Sequence, residues 1–298
     1  MTSAGYDHLC INSDAAGGTG SPFTFLAAAG DAGFTRIMWG HQWNTDFLYD
    51  DAEIEFAGEF MAASGIKLSD THGSAGKEKC WYSPVEYERR AGIALVKNRI
   101  RFTSLLGGST VTLHPPVRRF PEEDLLLLRR RGLQSMHEIA EHAQLYGIMI
   151  ALENLYQAAG EKDYALTSYD TIEEFFDSFP SLGFCWDPAH SIILGEKAAV
   201  RDEDLASRRL CMVHISDNRG MEDEHAPPFT WSTIWDHVAR VIARSPYPQE
   251  KPVTLEVEMP PDLPLVAFLE DTRMKGLKFN RLWKQAYDEH LRMGVPCR

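Results

Sequence analysis

The chain of 298 residues sets 30 Lys and Arg against 43 Asp and Glu, a formal charge of −13 at pH 7, with 44% hydrophobic and 11% aromatic residues. That composition is globular and excludes a disordered chain, a collagen-like repeat and a disulfide-dense mini-protein. The acidic balance makes nucleic acid a disfavoured partner, because an extended phosphate-binding surface needs clustered positive charge. No apolar run approaches the roughly 20 residues that span a bilayer. Residues 1–14 lack the basic and apolar regions of a secretory signal, and the five cysteines (Cys10, Cys80, Cys185, Cys211, Cys297) form no CxxC pair. A cytoplasmic protein with reduced thiols is the expectation.

Short apolar runs alternate with longer helical patterns from end to end. Residues 8–11 read as a buried strand, followed by a glycine-bearing loop over 15–20 that lacks the GxGxxG spacing of a phosphate loop. A helix over 22–32 follows Ser21 as N-cap and stops at Gly33. A strand at 35–39 leads to a helix over 52–64, stopped by Gly65. Strand 67–69 leads to helix 84–106, which ends in Gly107–Gly108. Strand 110–113 precedes helix 122–146, and strand 148–152 precedes helix 171–179. Strand 183–186 precedes a short helix over 203–209, strand 212–215 a helix over 230–244, and strand 253–257 a last helix over 263–293. Strand and helix thus alternate eight times with no composition break or linker, so residues 1–298 read as one α/β domain, a single (β/α)8 TIM barrel. The last helix carries Leu269, Leu277, Leu282 and Trp283; packing on the barrel is the favoured use, and a homo-oligomer contact the other.

Polar residues recur at the C-terminal ends of these strands, where this fold builds its active sites. The strand ends read SDTH (His72), LHPP (His114), ALEN (Glu153), CWDPAH (Asp187, His190), VHISD (His214) and LEVE (Glu256). Carboxylates and histidines at the end of apolar strands are costly to bury unless paired or metal-bound. Singly, Glu153 reads as a salt bridge at the mouth and His214 as a satisfied core histidine. As a set, Glu153, Asp187, His214 and Glu256 offer a divalent cation three oxygens and one nitrogen, which favours Mn, Mg or Co over structural Zn.

These motifs, with VHISDN and DEH (Asp223, His225), resemble the xylose-isomerase-like TIM-barrel superfamily over nearly the whole chain. That superfamily holds sugar-phosphate isomerases and epimerases, inosose-type dehydratases and endonuclease IV. The resemblance implies a carbohydrate substrate and one divalent metal on Glu153, Asp187, His214 and Glu256, with Glu153 and Glu256 as paired catalytic acid and base. It also implies substrate contacts from His72, His114, His190 and Arg219; Trp39, His41, Trp43 and Trp186 would wall the pocket. Proton abstraction next to a carbonyl needs a base on one face and stabilisation of the resulting oxyanion, and this residue set supplies both. The primary expectation is a metal-dependent sugar (or sugar-phosphate or keto-polyol) isomerase or epimerase.

Two other activities share the resemblance. A lyase or dehydratase, or a C-glycoside-cleaving subunit, would use the same abstraction and then expel a leaving group. An endonuclease IV-like phosphodiesterase would use three zinc ions, with Asp223 and His225 as extra ligands beside His72, His114 and His190. The net charge weighs against the second. A non-enzymatic sugar-binding barrel is the remaining alternative.

Overall fold

The computed structural model describes residues 4–17, 22–40, 47–73, 78–118, 122–156, 162–231 and 234–293. Apolar runs bounded by turn residues become the strands β1 (Cys10–Asn12), β2 (Arg36–Trp39), β3 (Lys67–His72), β4 (Thr110–Leu113), β5 (Met149–Glu153), β6 (Gly183–Trp186), β7 (Leu210–Ile215) and β8 (Thr254–Leu255). They pair in parallel in chain order, and β8 closes on β1, which makes the predicted barrel. Around it lie α1 (Pro22–Asp31), α2 (Asp51–Ala63), α3 (Glu86–Leu105), α4 (Leu125–Tyr146), α5 (Lys162–Ser178), α6 (Pro188–Leu194), α7 (Glu196–Arg209), α8 (Trp235–Arg244) and α9 (Leu265–Arg292).

Local signals set several of these boundaries. Asp50 and Glu53 form a reciprocal capping box that starts α2, the Asp50 carboxylate accepting from the Glu53 N–H at 2.9 Å. Asp124 caps α4, and Gly147 ends it in the left-handed conformation at φ 65°. On each strand, alternate side chains face the helices and the barrel axis. Leu152, Phe184 and Val213 join the main core, whereas Ala151, Cys185 and Met212 form a separate cluster.

Several elements depart from the sequence-based expectation, among them α8, which starts at Trp235 where a helix over 230–244 is expected. The helix predicted over 171–179 starts at Lys162, because the polar stretch 162–170 carries little apolar periodicity to announce it. The short helix predicted over 203–209 is preceded by an unpredicted helix, α6, and itself begins at Glu196. The strand expected over 253–257 keeps only two ladder residues. Beyond them Val257 N–H donates to Asn12 Oδ1 at 2.9 Å and Met259 N–H to Ala15 O at 2.7 Å, so the chain leaves the sheet and straps over the end of β1. β3 runs on to His72 rather than stopping at 69.

Helix α9 packs on the barrel wall as expected. Its Phe279 meets Trp235 of α8 edge-on at 5.9 Å, and Trp283 meets Tyr6 at 5.6 Å. No helix among the described residues is long and apolar enough to cross a membrane. Cys10, Cys185 and Cys211 are free thiols; Cys297 lies outside the described residues, as do Ser21, His41 and Trp43.

Candidate active site at the barrel mouth

The C-terminal ends of the strands surround a cavity of about 390 Å³ lined by His72, His114, Glu153, His190, Asp223, His225 and Glu256, among others. The strand ladder places the deepest of these. His72 ends β3 and Glu153 ends β5, His214 lies on β7, and Glu256 directly follows β8. Asp187 follows β6 and caps α6, accepting the N–H groups of Ala189 (2.6 Å) and His190 (3.3 Å) on Oδ1, with Pro188 at the first helical position. His190 then rides on the first turn of α6. Gly73 lets β3 press against β4 here: a Cβ at this position would fall 2.8 Å from Thr112 O.

Glu153 is the hub. Its Oε1 lies 2.9 Å from His214 Nδ1, and its Oε2 lies 3.4 Å from Nε2 of both His72 and His114. The same His214 Nδ1 is 2.8 Å from Glu256 Oε2. A single Nδ1 proton can be given to only one of the two carboxylates. Ligand-type atoms of Glu153, Asp187 and His190 lie within 4.8 Å of one another, as do those of Glu153, Cys185 and His214 and those of His72, His114 and Glu153. A second focus sits beside the first: Asp223 Oδ2 is 2.8 Å from His225 Nε2 and 3.2 Å from His190 Nε2.

This donor set suits divalent cations. Asp187 Oδ2, Asp223 Oδ1 and His214 Nε2 are buried without a hydrogen-bond partner, which is costly for polar groups. Three histidines also tie Nδ1 to a main-chain carbonyl: His72 to Gly73 O (3.2 Å), His190 to Asn154 O (2.7 Å) and His225 to Glu256 O (3.1 Å). Each thereby turns Nε2 towards a carboxylate, the orientation that metal-ligating histidines adopt.

The electrostatics follow from the crowding. Burial alone would raise the Glu153 carboxyl, but the His214 charge and hydrogen bonds from His114, His214 and His72 outweigh it and hold Glu153 well below the ordinary carboxylate range. Burial likewise opposes ionisation of Glu256, yet His214 pulls it down to about 2. Asp187 behaves in the opposite way. Its burial, with Asp223, Glu153 and Glu256 nearby, overcomes His190 and pushes it up to about 7. Burial lowers His225, but the hydrogen bond to Asp223 and the Glu256 charge dominate and raise it to about 10.

The sequence-based candidates therefore divide. Glu153, Asp187, His214 and Glu256 come together, Asp187 and His214 fully buried and not among the described lining residues, and Glu153 and Glu256 line the cavity with His72, His114, His190, Asp223 and His225. Arg219 and Trp186 are not among its described lining residues. Arg219 lies over the Trp231 ring at 4.6 Å with its side chain 59% exposed, and Trp186 is buried with Nε1–H donating to Ser191 Oγ at 3.3 Å. Trp39 is also a core residue, donating to Tyr49 OH at 2.9 Å. Trp43 lies outside the described residues. The cavity adds Asn12, Asp14, Tyr156 and Glu258, which sequence reading did not single out. The alternation rule could have placed Trp186: Cys185 and Asp187 face inward, so the residue between them faces the helices.

A family profile described as "Xylose isomerase-like TIM barrel" matches residues 26–279. An uncharacterized protein, y4fM, of Sinorhizobium fredii is 28% identical over 255 residues, which cover 77% of this chain and 78% of that protein. Among solved structures, a xylose isomerase domain protein from Alicyclobacillus acidocaldarius is similar with a TM-score of 0.72 and 17% identity, covering 93% of this chain and 99% of that one. An L-ribulose 3-epimerase is similar with a TM-score of 0.70 and 15% identity, covering 97% and 99%. At these identities the structural likeness speaks for the fold.

Proposed function

The chain belongs to the xylose isomerase-like TIM-barrel family, and from that premise we propose that it is a divalent-metal-dependent isomerase or epimerase of a sugar or keto-polyol. The observation that carries this reading is the convergence of Glu153 Oε1 and Glu256 Oε2 on His214 Nδ1, at 2.9 and 2.8 Å, at the floor of one cavity. Two carboxylates bordering one substrate position can take a proton from a carbon next to a carbonyl and return one to it. Glu153, Asp187, His214 and Glu256 would hold the cation, which when bound supplies Lewis-acid polarisation of the substrate oxygens. Glu256, with 14% of its side chain exposed against 1% for Glu153, is the carboxylate nearer the open cavity and the first to meet substrate. His72, His114 and His190 present Nε2 towards the same space and suit binding of substrate hydroxyls. Sugar 3-epimerases among the structural neighbours are in line with this reading.

The test is proton exchange. The protein loaded with Mn²⁺ is incubated with a panel of ketoses and keto-polyols in D₂O and followed by NMR. Deuterium entering the carbon beside the carbonyl, with an epimer or isomer appearing, is the expected result. Deuterium uptake followed by loss of a leaving group would move the assignment to a lyase. Absence of exchange and of any product throughout the panel would overturn the reading.

A second reading rests on the Asp223 focus. With Asp223 Oδ2 between His190 and His225, and three histidines tied to carbonyls, the cavity offers ligands for more than one cation, as a three-zinc phosphodiesterase requires. Metal content by mass spectrometry separates the two. About one ion per chain fits the sugar chemistry; two or three Zn per chain, with cleavage of abasic DNA, would replace it.

A further inference from the structure

Behind the site, away from the cavity, lies a buried hydrogen-bond relay that the chemistry above does not use. Asp202 on α7 is fully buried. Its Oδ1 accepts from Tyr169 OH at 2.7 Å, and its Oδ2 accepts a short hydrogen bond from Ser191 Oγ on α6. Ser191 Oγ in turn receives Asn154 Nδ2 and Trp186 Nε1, both at 3.3 Å. Asn154, the residue after β5, brackets the Asp187 peptide: its Nδ2 donates to Asp187 O at 2.9 Å and its Oδ1 accepts Asp187 N–H at 2.7 Å. The main-chain carbonyl of Asn154 takes His190 Nδ1–H at 2.7 Å.

The order of donors in this relay is fixed from its far end. An ionised carboxylate only accepts, whereas a serine hydroxyl has a single proton to give. Burial pushes Asp202 up to about 6 against the hydrogen bonds from Ser191, Tyr169 and Trp186, which leaves it ionised at neutral pH. Ser191 must therefore spend its proton on Asp202 and can only accept from Asn154. That forces the Asn154 amide to turn Nδ2 towards Ser191 and the Asp187 carbonyl, and Oδ1 towards the Asp187 N–H. The reversed amide would set donor against donor at the Asp187 N–H.

We propose that Asp202 is a positioning residue for this site: acting through Ser191, it holds the Asn154 amide in the orientation that brackets the Asp187 peptide, and with it the Asp187 carboxylate and the His190 ring that lines the cavity. Outer groups that orient metal ligands commonly matter by about 10–100-fold in metal affinity or activity. Asp202 acts on Asp187 through three hydrogen bonds of this relay, so the lower end of that range is expected.

Asp202→Asn tests this, because it keeps shape and replaces one of two acceptor oxygens by a donor, so that either Tyr169 or Ser191 must turn its hydroxyl round. Two readouts are used, and only the first rests on the metal reading. Titration of the metal-free protein with Mn²⁺ alone should show about tenfold weaker binding, with unchanged circular dichroism. In metal-free protein, the His190 Nδ1 proton, bonded to Asn154 O at 2.7 Å and expected in wild-type NMR spectra as a slowly exchanging ring signal, should exchange faster. Ser191→Ala should weaken Mn²⁺ binding similarly, and adding Asp202→Asn to it should change little, since both cut the same relay. A merely structural role for Asp202 predicts additive losses in this cycle. Wild-type His190 proton exchange in folded Asp202→Asn, or full additivity with Ser191→Ala, would overturn the proposal. Should Asp202→Asn not fold, Ser191→Ala alone decides: wild-type His190 exchange in that variant is the overturning result. Failure of the wild type to bind Mn²⁺ would strike the metal reading, and the His190 signal would still judge the relay.

Discussion

The two foci of the site are held by the backbone in contrasting ways. Glu153, His214 and Glu256 sit on or beside the ladder strands β5, β7 and β8, with side chains 1%, 0% and 14% exposed. Asp223 and His225 sit in the excursion between β7 and α8, which is organised by local bonds. There Asp217 and Ala226 form an antiparallel bridge, Asp217 Oδ2 accepts Trp231 N–H at 2.8 Å, and Glu224 Oε2 accepts Arg219 N–H at 2.8 Å. His225 has φ 45° and Phe229 φ 65°, left-handed conformations that side chains other than glycine seldom adopt. Strand-borne ligands are thus placed by the same ladder that makes the barrel, while the loop-borne ones depend on a strained segment that can vary without touching the fold. On the proposed function, the strand half carries the chemical step and the loop half selectivity for the substrate.

The largest effect that tests this contrast is expected from the hub. Glu153→Gln should lower kcat/KM by about 10³-fold or more, and Glu256→Gln nearly as much, in steady-state assays on the substrate found by D₂O exchange. Retention of near wild-type activity in either would break the assignment of roles. Next in size, His214→Ala should lose metal. Chelation of the wild type at a metal level about a hundred times Kd should remove about 2.7 kcal/mol of stability, a drop of several degrees in Tm, and His214→Ala should show no such drop. In the loop half, Asp223→Asn should cost about tenfold in kcat/KM while leaving the metal count at its wild-type value. A fall in that count would move Asp223 from substrate selection into a second metal centre.

A smaller effect is expected from pH. His225 titrates at about 10 in the fold against an ordinary 6.5, because of Asp223 and Glu256. A histidine raised in this way stabilises the fold fully below pH 6.5, and the contribution fades as pH rises and is gone beyond about 10. Metal-free wild type should therefore lose Tm between pH 7 and 10 more steeply than metal-free His225→Asn; parallel curves would remove the ion pair from the account. The smallest effect belongs to Arg219→Ala. With its guanidinium mostly exposed on Trp231, outside the described cavity lining, it should change stability by no more than about 0.5 kcal/mol.

The barrel and the strand half were legible in the sequence for one reason. A ligand at the C-terminal end of an apolar run is a local pattern, as in ALEN and CWDPAH, and the fold gathers all such ends at one mouth. What was not legible depends on distance or on parity. Asn12, Asp14 and Glu258 reach the cavity because the chain strand after β8 straps over β1, a contact separated by 245 positions between Asn12 and Val257. Trp186 carries the flat surface that sugars favour, but its place in the alternation turns it to the helices. Helix α6 was hidden inside a motif read for its ligands, although Asp187 followed by Pro188 is itself a helix-start signal.

The seam between β8 and β1 has a consequence for how the protein is made. Glu256 is delivered by β8, and that strand pairs with β1, so a contact across 245 positions of sequence completes the site. A nascent chain holding the first seven strands already carries Glu153, Asp187 and His214, yet it has two unpaired sheet edges and an open acidic mouth. Neither a closed barrel nor the full set of carboxylates exists until the ribosome has released the chain well past residue 256. On the proposed metal reading, the full set of carboxylates for the cation is complete only when the barrel closes.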